Sequence, residues 1–95
     1  MNEKQIEAYL VKQVKKLGGI AYKFVSPGHN GVPDRLVCLP EGIAAFLELK
    51  TPGKKSTMQQ LREQNYLLQL GCRVFADVDS KAAVDGVLAS LRSEA

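Results

Sequence analysis

Residues 31–50 read GVPDRLVCLPEGIAAFLELK. Two short apolar runs, RLVCL at 35–39 and IAAFLELK at 43–50, flank Pro40-Glu41-Gly42. β-prone segments on either side of a tight turn predict a hairpin. Side chains on a strand alternate between faces, so Phe46, Glu48 and Lys50 share one face while Ala45, Leu47 and Leu49 share the other. An internal strand of a small domain tolerates two charges on one face only when they are paired or bind something. A salt-bridged strand end at the sheet edge is the alternative reading of the same residues.

Reading outward, residues 3–17 form an amphipathic helix, with Ile6, Leu10, Val14 and Leu17 recurring at helical spacing and Gly18-Gly19 ending it. IAYKFV at 20–25 is a strand, and SPGHNGVPD is a turn-rich loop. A second helix covers 57–70, capped by Ser56 or Thr57 and ended by Gly71. RVFADV at 73–78 is a strand with Val74, Ala76 and Val78 on one face. Asp79 or Ser80 caps a last helix whose Val84, Val87, Leu88 and Leu91 form a stripe. The order α-β-β-β-α-β-α predicts an α/β fold with a mixed sheet flanked by helices.

The length of 95 residues fits one domain over 1–95, and 45% hydrophobic residues with a net charge of only +3 argue against disorder. No apolar run approaches the ~20 residues that span a bilayer, so no membrane role is expected, and the start of the chain lacks the apolar block of a secretion signal. Cys38 and Cys72 read as buried free thiols. With one His they are too few for a zinc site. The mildly basic balance permits a polyanionic partner without demanding one.

Four features converge on one chemistry. Asp34 stands where a loop enters a strand, a common place for functional groups, although a turn Asp capping its own backbone has the same address. Glu48 and Lys50 share a strand face. Glu7 lies beside the buried stripe of the first helix, from where it either reaches the sheet or snorkels to water. Gln60, with Gln59 as the other possibility, opens the second helix. Two carboxylates at the ends of adjacent strands suit a hard cation such as Mg²⁺, and a neighbouring Lys suits charge that develops on a phosphate. His29 is either a general base or loop polarity. Lys54, Lys55, Arg35 and Lys23 are candidate DNA-groove residues or plain surface charges.

Pro33-Asp34 followed by Glu48-Leu49-Lys50, with thirteen residues between Asp34 and Glu48, resembles the PD-(D/E)XK nuclease signature. More narrowly, Glu7, GVPD at 31–34, ELKTPG at 48–53 and Gln60 eleven residues before Gly71 resemble the VRR-NUC (virus-type replication-repair nuclease) domain over nearly the whole chain. The resemblance implies an αβββαβ(α) restriction-endonuclease-like core and Mg²⁺- or Mn²⁺-dependent DNA cleavage leaving 5′-phosphates, with no nucleotide cofactor. It further implies branched DNA as substrate, with a Holliday junction as the candidate, and the cytoplasm of a bacterial or phage-infected cell. By position, Asp34, Glu48 and the Leu49 carbonyl would be metal ligands and Glu7 would touch the metal directly or through water. Lys50 would position the nucleophilic water, and Gln60 would support the Lys or the phosphate. A non-catalytic branched-DNA-binding module of the same fold is the alternative. One constellation per chain and two cuts per four-way junction predict a homodimer, with Tyr66, Leu70 and the C-terminal helix as interface candidates.

Overall fold

The computed structural model describes residues 1–94. The chain order is α1 (Glu3–Lys16), β1 (Ile20–Lys23), β2 (Arg35–Leu39), a 3₁₀ turn (Pro40–Gly42), β3 (Ile43–Leu49), α2 (Met58–Gln69), β4 (Val74–Val78) and α3 (Lys81–Arg92). This is the α-β-β-β-α-β-α order expected from the sequence. The four strands form one sheet in the order β1-β2-β3-β4. β1–β2 and β2–β3 are antiparallel, and β3–β4 is parallel. The parallel step requires a crossover, which α2 supplies. Glu41 at φ 71° and Gly42 at φ 77° turn the chain between β2 and β3.

The helix starts follow their capping chemistry. Asn2 and Gln5 make a reciprocal capping box on α1, and Thr57 and Gln60 make one on α2. Ser80 caps α3 by accepting from the Ala83 amide at 3.0 Å. Thr57 and Ser80 are thus the caps among the alternatives.

The core lies on one face of the sheet. Ile6, Leu10 and Val14 of α1 and Val84, Val87, Leu88 and Leu91 of α3 pack with Val37, Leu39, Ile43, Ala45, Leu47 and Leu49. Each fully buried aliphatic side chain contributes about 1.5–3 kcal/mol. α2 lies on the opposite face, where Lys50 meets Gln60, and contributes no side chain to this core. The only buried residue of α2 is Gln64.

Three expectations need correction. β1 ends at Lys23, not at residue 25. Its pairing runs one bond further, from the Phe24 amide to the Asp34 carbonyl at 2.8 Å. The next rung would set Val25 against Pro33, which has no N–H to give. In β4, alternation of Val74, Ala76 and Val78 on one face does not hold. Phe75 pairs with Leu47 and Val78 with Leu49, so Ala76 and Asp77 together face Glu48 in a bulge, and Ala76 is exposed. Finally, Cys38 and Cys72 are unpaired but only half-buried.

Candidate active site

β2 and β3 bring the two carboxylates together through their register. Arg35 pairs with Leu47, so the rung beyond sets Asp34 opposite Glu48, with both side chains on the α2 face. The Asp34 carboxylate accepts from the Leu49 amide at 3.1 Å, which fixes it across the end of β3. Phe24 and Phe46 stack edge to face at 5.3 Å on the same side of the sheet.

Glu48 is 4% exposed, and its Oε1 is buried with no hydrogen-bond partner. Burial raises the Glu48 carboxyl to about 7, the Asp34 charge adds to that push, and Lys50 opposes it. Burial raises Asp34 as well, against the stabilising amide of Leu49. An unsatisfied buried carboxylate oxygen beside a second carboxylate is unfavourable in isolation and favourable around a cation. The two carboxylates therefore suit a hard divalent ion between Asp34 and Glu48. Among the described residues no three His, Cys, Asp or Glu side chains gather as a metal cluster, so water would complete the shell.

Lys50 follows the strand, its amide bonded to the Val78 carbonyl at 3.0 Å. Its Nζ donates to Gln60 Oε1 at 2.8 Å. The same oxygen accepts from the Thr57 amide at 2.8 Å, so Gln60 serves the helix cap and the lysine together. Gln59 has a different place. It is exposed and packs beneath Gly31, where a Cβ would meet its side chain at 2.9 Å and its backbone at 3.0 Å. With φ +86°, Gly31 is required for that close approach of the Asp34 loop to α2.

Two sequence expectations fall elsewhere. Arg35 is not a groove residue. It is 8% exposed, pairs with Glu7 Oε1 at 2.7 Å and donates to the Ala21 carbonyl at 3.2 Å. Its position follows from alternation, since Arg35, Val37 and Leu39 all point into the core layer. Glu7 accordingly has its carboxylate on Arg35. The α1 carboxylate whose charge reaches both Asp34 and Glu48 is Glu3, which the sequence reading missed. The signal was its spacing, because Glu3 heads the Ile6-Leu10-Val14 stripe by one turn. Lys23, Lys54 and Lys55 are exposed. His29 lies against α2, its Nε2 3.9 Å from Glu63 Oε1, and is 60% exposed at its side chain.

Fold and site together define a small α/β nuclease. A curated protein named "Putative nuclease p44", from Acyrthosiphon pisum secondary endosymbiont phage 1, is 58% identical over 74 residues, spanning 78% of this chain and 80% of that protein. A solved structure described as a VRR_NUC domain matches with a TM-score of 0.83 at 33% identity, over 90% of this chain and 92% of that one. No protein-family model matches the chain. The chain belongs to the VRR-NUC family and is a nuclease of that type.

Proposed function

We propose that this nuclease is a metal-dependent DNA endonuclease that cuts branched DNA, with the four-way Holliday junction as its leading substrate, and leaves 5′-phosphates. The observation that supports this most is the buried acid pair of Asp34 and Glu48, with an orphaned Glu48 oxygen and a Lys50 ammonium held on the same side of β3. A Mg²⁺ or Mn²⁺ ion held by Asp34, Glu48 and the Leu49 carbonyl would supply Lewis-acid stabilisation of charge developing on the phosphate. Lys50 places its positive charge beside that phosphate and orients the attacking water. Gln60 holds the ammonium in place through its side-chain oxygen. In the reaction a water oxygen bonds to phosphorus while the bond from phosphorus to the 3′ oxygen breaks, giving a 3′-hydroxyl and a 5′-phosphate. Glu3 adds negative charge at the site and favours retention of the cation.

DNA would approach along the exposed Lys54 and Lys55 beyond β3, and along Lys23 on β1. A homodimer would give two active sites for two symmetric cuts. Its interface would use the end of α2 and its C-cap, where Tyr66 is 55% and Leu70 66% exposed. α3 is a poorer candidate than the sequence suggested, because its apolar stripe is spent in the core.

The test is incubation with labelled duplex, flap, splayed and four-way DNA in Mg²⁺, Mn²⁺ or EDTA, with mass measured by light scattering. Preferential, metal-dependent cutting of the four-way junction by a dimer supports the whole reading. Binding to branched DNA without turnover would favour a non-catalytic module instead. A monomer of 10.4 kDa that makes only single nicks would remove the resolvase reading and leave the nuclease.

A further inference from the structure

The β4 bulge sets Asp77 at φ 53°, a left-handed backbone that few residues other than Gly, Asn and Asp adopt readily. Its Oδ1 accepts from the Ser56 amide at 3.0 Å and from the Ser56 hydroxyl at 2.9 Å. The Ser56 oxygen in turn accepts from Gln64 Nε2 at 3.0 Å, and Gln64 is 4% exposed. This polar knot fastens α2 to β4. It matters because α2 places no apolar side chain in the buried core, so these polar bonds contribute to its placement.

The knot leads directly to the site. Ser56 precedes Thr57, the cap of α2, and Thr57 shares Gln60 Oε1 with Lys50 Nζ. We propose that Asp77 is a positioning residue for the nuclease reaction: through Ser56 it fixes the first turn of α2, so that Gln60 presents its oxygen to Lys50. Asp77 acts through its neighbours and not on substrate. The bulge is what makes the arrangement possible, since it gives β4 an extra residue opposite Glu48 and aims this carboxylate at Ser56. Left-handed backbone conformations held at functional sites in this way are a recurrent device. The consequence for catalysis rests on the function proposed above, whereas the placement of α2 does not.

Two substitutions separate the side chain from the backbone. Asp77→Gly keeps the left-handed conformation and removes the acceptor. Asp77→Asn keeps an acceptor oxygen and tolerates the same φ while removing the charge. Amide hydrogen exchange reads the placement without any activity. In Asp77→Gly the Ser56 and Gln60 amides should exchange about tenfold faster, roughly the loss of one hydrogen bond, with Val37 and Leu47 unchanged. Asp77→Asn should restore most of that protection. In cleavage, Asp77→Gly should lower kcat about tenfold with little change in KM, and Asp77→Asn should recover most of it. In a Gln60→Ala background Asp77→Gly should add no further loss. Unchanged exchange at Ser56 and Gln60 in Asp77→Gly would overturn the proposal. So would an Asp77→Asn variant as impaired as Asp77→Gly, which would make the charge near Glu48 the important property. A wild-type chain that cuts no DNA would remove the proposed function, and the exchange result would still decide the role of Asp77.

Discussion

Lys50 Nζ and Gln60 Oε1 lie 2.8 Å apart, joining the end of β3 to the first turn of α2. The amide oxygen is also the reciprocal half of the Thr57 capping box. One side chain therefore couples helix initiation to placement of the ammonium. Gln60→Ala should lower stability by about 1 kcal/mol through the lost cap, and lower cleavage about tenfold beyond that. Gln59→Ala should leave cleavage near the wild-type rate. Urea unfolding and single-turnover cleavage of both variants check this. Equal effects at the two glutamines would contradict the assignment.

The acid pair gives the metal-free protein a defined pH response. Glu48 has an ordinary value of 4.5 and stands at about 7 in the fold. Between these values the folded chain holds a proton that the unfolded chain has released. The contribution of Glu48 to stability is therefore greatest below about 4.5, falls as pH rises to about 7, and does not return above it, with a limit of about 3 kcal/mol. The raised Asp34 acts in the same direction. Urea midpoints at pH 5 and pH 8 in EDTA should show the drop, and Glu48→Gln should flatten it. A wild-type midpoint that rises over this window would contradict the burial argument.

Arg35 belongs to the core, so its loss should be felt in folding before it is felt in DNA affinity. Glu7→Ala removes both the charge and the acceptor and leaves a guanidinium with 10% side-chain exposure, with the Ala21 carbonyl as its remaining hydrogen-bond partner among the described residues. Because Glu7 itself is 36% exposed at its side chain, the cost is expected to be about 2 kcal/mol, below that of a fully buried pair. Thermal unfolding measures it. A normal melting temperature with weakened DNA binding would return Arg35 to the groove.

For the exposed cations the expectation is electrostatic. Binding in Ca²⁺ should weaken with salt, at a slope of roughly −0.9 in log K against log salt for each phosphate neutralised. Lys54→Ala with Lys55→Ala should make that slope shallower by up to about two such contacts without disturbing Asp34 or Glu48. A slope unchanged in the double variant would move the groove elsewhere, for instance to the lysines of α1.

How far these residues were legible depends on which local rule governs each one. The Asp34–Glu48–Lys50 face follows from alternation along β3 and from the turn that sets the hairpin register, both local properties of residues 31–50. Gln60 carried a signal too, since Thr57 and Gln60 stand at the capping-box spacing and Gln59 does not. Arg35 was misread because charge was weighed over its place in the Arg35-Val37-Leu39 alternation. Glu3 was missed, although it stands one turn before Ile6 on the buried stripe. Asp77 was not legible in its detail. Its bulge contains no glycine, and its partner Ser56 is brought to it only when α2 crosses over to make β4 parallel to β3.

The most direct test is single-turnover cleavage of a labelled four-way junction in Mg²⁺ by the wild-type chain and by Asp34→Asn, Glu48→Gln and Lys50→Ala. The account expects wild-type cutting that EDTA abolishes, and a loss of about 10² or more in each variant with fold and binding retained. Wild-type rates in any two of the three variants would contradict it.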